Sequence, residues 1–114
     1  MHPKLELEVG GFKKKVTIEA LIDTGFSGYL CLPLETAKDL GLELTGEEKY
    51  ELANGQWITQ FNFRGYVVFL GKRMDVEIVV GTSEMPQVGV MLLADCRLTI
   101  DFAANKVGLT RKKM

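Results

Sequence analysis

Histidine occurs once in this 114-residue chain, cysteine twice, and no Cys-x-x-Cys spacing is present. Those shortages exclude the usual structural zinc centres, so no metal site is expected. Cys31 and Cys96 could in principle pair, but two thiols in a cytosolic context are more often reduced core residues. No apolar run approaches the roughly 18 to 20 residues that a membrane span needs, so no membrane partner is expected. The formal net charge is only −1, which leaves no global field to gather nucleic acid or anionic lipid. His2-Pro3-Lys4 leads straight into an alternating pattern without an apolar leader, and cytoplasmic residence is the expectation. Linkers, low-complexity segments and internal repeats are also missing, so residues 1–114 read as one domain. Proline is scarce (three residues) beside twelve glycines, a balance that suits a β-rich fold with many tight turns.

What is present is mostly strand pattern. Leu5, Leu7 and Val9 alternate with Glu6 and Glu8, the period-two signature of a half-exposed strand. Gly10-Gly11 marks a hairpin turn, and Phe12, Val16, Ile18 and Ala20 lie on the return to Ile22. Lys13, Lys14 and Lys15 beside that turn read as a solvated basic group. Tyr29-Leu30-Cys31-Leu32 is a short buried strand stopped by Pro33. Leu34–Leu40 is predicted as a helix, opened by Pro33 and closed by Gly41.

Tyr50-Glu51-Leu52-Ala53 and Gln56-Trp57-Ile58-Thr59 flank Asn54-Gly55, which predicts a hairpin with a two-residue turn. Its outgoing strand continues through Phe61 and Phe63 to Gly65. Residues 66–70 and 74–80 form a further strand pair, and 82–87 a polar connection. Val90-Met91-Leu92-Leu93-Ala94-Asp95 is apolar almost all round, which predicts a second short helix. Residues 98–102 and 107–109 close the chain as strands, with 111–114 as a frayed tail.

One stretch organises the rest: Ala20-Leu21-Ile22-Asp23-Thr24-Gly25-Phe26-Ser27-Gly28. A buried strand delivers a single carboxylate into a turn of hydroxyls and glycines, where it meets free backbone N–H groups. A catalytic carboxylate would be held in this way. So would an ordinary Asp-initiated turn in an unrelated barrel, because Asp bonds its own backbone two residues on.

Two later features join that stretch: the Asn54-Gly55 hairpin, with the only tryptophan just past its tip, and Gln87-Val88-Gly89 followed by Val90-Met91-Leu92-Leu93. Together with Leu21-Ile22-Asp23-Thr24-Gly25 they resemble the retropepsin-like aspartic proteases, the single-lobed relatives of pepsin. In that family a hydrophobic-hydrophobic-Asp-Thr/Ser-Gly motif is followed by a mobile hairpin flap and then by hydrophobic-hydrophobic-Gly before a short C-terminal helix. The likeness covers nearly the whole chain and is closest to small prokaryotic members, with Arg97-Leu98-Thr99-Ile100-Asp101 as a shared late strand. Gln87 departs from the pattern, standing where an apolar residue is usual. Ser27 and Val90 occupy positions where retroviral members carry an acid and an arginine that pair.

The resemblance implies a mainly β, single-lobe barrel with one short C-terminal helix and a helix near 34–40. It implies a homodimeric aspartic endopeptidase without cofactor, in which Asp23, Thr24 and Gly25 of two chains form one catalytic centre. A peptide or protein substrate would be bound by Ser27, Val88 and the flap residues Ala53, Asn54, Gly55 and Gln56. Trp57 reads either as a substrate-facing flap residue or as core. The competing reading from another class is a catalytically silent dimer of the same fold that binds peptide strands by β-augmentation.

Overall fold

The computed structural model describes residues 2–82 and 84–112. Nine strands and one helix are defined among them: β1 (Lys4–Gly10), β2 (Lys15–Ile22), β3 (Leu30–Pro33), α1 (Leu34–Leu40), β4 (Glu43–Glu51), β5 (Trp57–Phe69), β6 (Lys72–Gly81), β7 (Gln87–Val88), β8 (Cys96–Asp101) and β9 (Lys106–Arg111). The main sheet runs β1-β2-β7-β3-β6-β5-β4, and a further β1–β5 pairing, Glu8 opposite Val68 to Gly10 opposite Tyr66, closes it into a barrel. Strands β8 and β9 form a separate hairpin sheet.

Alternation decides which residues fill the barrel. Leu7 and Val9 on β1, Ala20 and Ile22 on β2, Leu30 and Leu32 on β3, Val76 and Ile78 on β6, and Val67 and Phe69 on β5 all turn inward and are buried. Their period-two partners face out, as a half-buried strand requires. Leu92 and Leu93 cap the barrel from the segment after β7, and Leu40 and Ala37 anchor α1 on it. The helix is only seven residues long, opens after Pro33 and ends at Gly41 with φ of 68°. Both ends follow the expected chemistry.

Three sequence expectations change. Residues 90–95 are not a helix but a string of overlapping turns, with Leu92 N bonded to Gly89 O at 3.2 Å, Leu93 N to Val90 O at 3.1 Å and Cys96 N to Leu93 O at 2.9 Å. All three of these bonds close at i→i+3, so the segment forms successive tight turns and no i→i+4 ladder. Gly65 does not end a strand: β5 runs unbroken for 13 residues, because Gly65 sits buried against Leu42 and Gly10 in a place too tight for a side chain. Arg111, placed in a frayed tail, instead closes β9, lies 3.4 Å from Asp95 and donates to Phe69 O at 3.3 Å. Lys113 and Met114 of that tail, and Ser83 of the 82–87 connection, lie outside the described residues.

Cys31 and Cys96 are both free and half-buried, and burial pushes each thiol above its ordinary pKa. Ile78, at the centre of the barrel, is completely buried. Ile78→Ala should lower stability by about 2–5 kcal/mol, read as a fall in denaturant midpoint at unchanged slope. Phe102→Ser, at a residue left 65% exposed, should change it by no more than about 0.5 kcal/mol.

Candidate active site

Asp23 follows the last residue of β2, where the chain leaves the barrel wall. β7 is only two residues long, yet it is wedged between two strands: Ile22 pairs with Val88 in parallel and Leu30 pairs with Val88 antiparallel. The wedge continues as backbone bonds across the loop. Asp23 N donates to Val88 O at 2.9 Å, Gly89 N to Tyr29 O at 3.1 Å, Val90 N to Phe26 O at 3.0 Å and Met91 N to Gly28 O at 3.1 Å. Gly89 permits this approach, since a Cβ there would stand 2.3 Å from Gly28 O and 2.6 Å from Phe26 O. No side chain fits.

Within the loop, Asp23 Oδ1 accepts the Gly25 N–H at 2.9 Å, and Asp23 O accepts Phe26 N at 3.1 Å. The Asx turn is therefore real, and it uses one carboxylate oxygen. Among the described residues no other hydrogen bond or ion pair reaches the carboxylate, which is half-buried and keeps its second oxygen available. Thr24 and Gly25 are exposed beside it, as is Ser27. A groove of about 240 Å³ lies next to the turn, walled by Phe26, Ser27, Glu77, Val79 and Met91.

Val88 is a correction to the expected substrate-contacting set. Its side chain is fully buried in the barrel, and what it gives the site is its carbonyl, which fixes Asp23 N. Gln87, one residue earlier, takes the opposite face, beside Leu21 and Cys31 in the register. The polar residue in the motif thus replaces nothing in the core.

The long hairpin of β4 and β5 carries the other expected site residues. Ala53, Asn54, Gly55 and Gln56 are all exposed at its tip. The turn differs from the two-residue form expected. Leu52 N bonds Gln56 O at 2.7 Å, Gly55 N bonds Leu52 O at 2.9 Å, and only Gly55 has positive φ, at 84°. This is a three-residue loop whose last residue is the left-handed glycine of a bulge. Asn54 stays at negative φ and instead caps the loop, its Oδ1 accepting Gln56 N at 3.0 Å. Among the described residues no hydrogen bond or ion pair joins this tip to the Asp23 turn. Trp57 is 65% exposed, which removes it from the core.

Sequence reading missed what holds the hairpin together lower down. Asn62 is buried on the outer side of β5, where it donates to Glu48 Oε1 at 3.0 Å and accepts from Gln60 Nε2 at 3.2 Å. Tyr50 Oη donates to the other Glu48 oxygen at 2.6 Å, and Thr45 Oγ1 donates to Asn62 O at 3.1 Å beside a bulge in β4. The available signal was the amide between Phe61 and Phe63, a polar residue in an otherwise apolar run. Phe26 was missed too. Its ring packs over Gly28 and Gly89, sealing the loop to the segment after β7.

A family model described as aspartyl protease matches residues 5–102. Among solved structures, the chain is similar to the solution structure of Simian Foamy Virus (mac) protease, with a TM-score of 0.63 and 15% identity over 81% of this chain and 92% of that one. It is also similar to EIAV protease complexed with the inhibitor HBY-793, with a TM-score of 0.61 and 16% identity over 83% of this chain and 88% of that one. No curated protein sequence matches the chain.

The hairpin network carries a pH dependence. Hydrogen bonds from Tyr50, and then from Asn62, hold the Glu48 carboxyl below its ordinary pKa. Its contribution is therefore complete above the ordinary glutamate pKa and is lost as pH falls through the lowered value. Hydrogen exchange across β4 and the start of β5 should accelerate over that acidic window. In Glu48→Gln the same amides should show no such step.

Proposed function

The chain belongs to the retropepsin-like aspartyl protease family, and from its single Asp-Thr-Gly turn we propose a homodimeric aspartic endopeptidase with Asp23 of each chain at a shared centre. The observation that carries the reading is the clamped turn at the end of β2, with one Asp23 oxygen fixed by Gly25 N and the other available. Aspartic peptide hydrolysis needs two carboxylates a hydrogen bond apart, because charges so close cannot both ionise. One draws a proton from water while the other, protonated, polarises the scissile carbonyl. One chain supplies half of that pair, so a two-fold axis has to supply the rest.

Several surfaces left open by the single chain support this reading. Thr24 is exposed next to Asp23, where its hydroxyl would lock two opposed turns by bonding to the partner's backbone. Within the described residues β9 pairs only with β8, and its second edge is open for a partner strand. Trp57 and Phe61 on one face of the hairpin, and Tyr50 and Ile58 on the other, are between 39% and 65% exposed. An extended peptide beneath a closing hairpin would cover one of these faces, with Ser27, Ala53, Asn54, Gly55 and Gln56 contacting its backbone.

Sedimentation at micromolar concentration should give twice the chain mass, and a strict monomer at high concentration would sink the proposal. Asp23→Asn should abolish hydrolysis of an unfolded protein while leaving the dimer folded. Both carboxylates vanish together, and acid–base help of this kind is worth about 10²–10⁴-fold. Replacing two repelling carboxylates should also raise the melting temperature slightly near neutral pH. The wild-type rate should be bell-shaped in pH, with both apparent pKa values belonging to the pair. Wild-type cleavage rates in the Asn variant would acquit Asp23. A folded wild-type dimer that binds peptide but cleaves nothing at any pH would establish the silent binding module instead.

A further inference from the structure

A groove of about 590 Å³ shares no lining residue with the Asp23 turn. Its apolar walls are Phe12, Leu34, Leu42 and Phe63, and its only charged lining residues are Lys13 and Lys38. The volume falls within the ~300–1,000 Å³ of sites that take a compact ligand or a few side chains. Phe12 is 84% exposed, more than any other large apolar residue among those described, and Leu34 is 47% exposed.

That exposure does not come from a loose loop. The hairpin tip is fastened to the end of α1, with Phe12 N donating to Gly41 O and Lys13 N to Leu40 O, each at 3.0 Å. An exposed aromatic residue on an anchored backbone beside an apolar trough is a surface that a partner can cover. The charge of the covering group follows from the rim. Neither Lys13 nor Lys38 is ion-paired among the described residues, whereas Lys15 is taken up by Glu8 at 3.7 Å. A local positive rim on a chain of net charge −1 selects an anionic partner.

We propose that this groove docks a linear acidic–apolar segment of another protein. An aromatic or aliphatic side chain of that segment sits among Phe12, Leu34, Leu42 and Phe63, and neighbouring carboxylates meet Lys13 and Lys38. The site stands apart from any chemistry at Asp23, but it reaches the root of the long hairpin. Leu42 immediately precedes β4, and Phe63 lies on β5 opposite Leu44. A docked segment therefore touches both strands at their base.

The test uses the full chain carrying Asp23→Asn, so that no peptide is consumed and the outcome does not depend on peptidase activity. A fluorescent peptide with a Glu-Asp-Phe-Leu-Glu core is titrated by anisotropy, beside one with its acids changed to lysine. The acidic peptide should bind, and binding should weaken as ionic strength rises. Lys13→Glu with Lys38→Glu should cost about tenfold or more in affinity. Phe12→Ser, at a residue too exposed to matter for folding, should do the same while leaving the unfolding midpoint unchanged. Equal binding of the lysine peptide, or no effect of either variant, overturns the proposal. So does an absence of binding. If Phe12→Ser turns a dimer into monomers, the face is a contact between copies. If vesicles containing phosphatidylserine bind the groove and the peptide does not, its occupant is a lipid surface. Either result replaces the proposed partner.

Discussion

The structure depends on the insertion of a two-residue strand between two others. β7 has no length with which to hold itself, and its place is fixed by the parallel pairing with β2, the antiparallel pairing with β3 and the backbone bonds that follow. Removing it would strip the ends of β2 and β3 of one of their two neighbours, at a cost of several unsatisfied backbone groups. The constraint is steric as much as polar. Phe26 O and Gly28 O close on Gly89 from within hydrogen-bonding range of its neighbours, so the two segments meet only because one residue lacks a Cβ. The carboxylate of Asp23 inherits its position from this contact.

A second constraint governs the hairpin. The lower part of β5 is barrel wall, with Val67 and Phe69 buried, while its first residues, from Trp57 to Thr59, are exposed together with all of β4. A strand that is half core and half free needs something to stop the free half from peeling away. Asn62 stands at the junction, and its amide draws Glu48 of β4 and Gln60 of its own strand into one network. Because Glu48 itself is exposed, the network can hold the hairpin's base without fixing its tip. The result is a stiff root and an unattached end.

Much of this was legible in the residues, and the failures have physical causes. The strands carrying Leu7, Val9, Ala20 and Ile22 were readable because one face is buried and the other wet, which writes period two into the sequence. The Asp23 turn was readable because strand, acid and glycine each restrict the backbone in a compatible way. Residues 90–95 were misread because a buried apolar run carries no period. The segment closes its turns at i→i+3 instead, a choice that an unpatterned apolar run does not record. Gly65 was misread for a related reason: its lack of a side chain serves a close approach to Leu42 rather than a turn. Val88 was assigned to the cleft from its place in a motif, and the pairing that turns it inward was not visible until β7 had partners on both sides.

Two groups of uncovered apolar residues lie at the two ends of the β4–β5 hairpin. At the free end are Trp57, Ile58 and Tyr50, and at the root is the groove topped by Phe12. The two differ in kind. Among the described residues the tip is held only by its own turn and cross-strand pairs. Phe12 is fixed by two backbone bonds to the end of α1, and its groove is complete in the single chain. The first surface therefore fits a transient occupant, and the second a docked one. Leu42 and Phe63 join them mechanically, because both lie in the groove wall and both continue into the strands that reach the tip. A partner seated at the root would press on the two strands below the Glu48–Asn62 network.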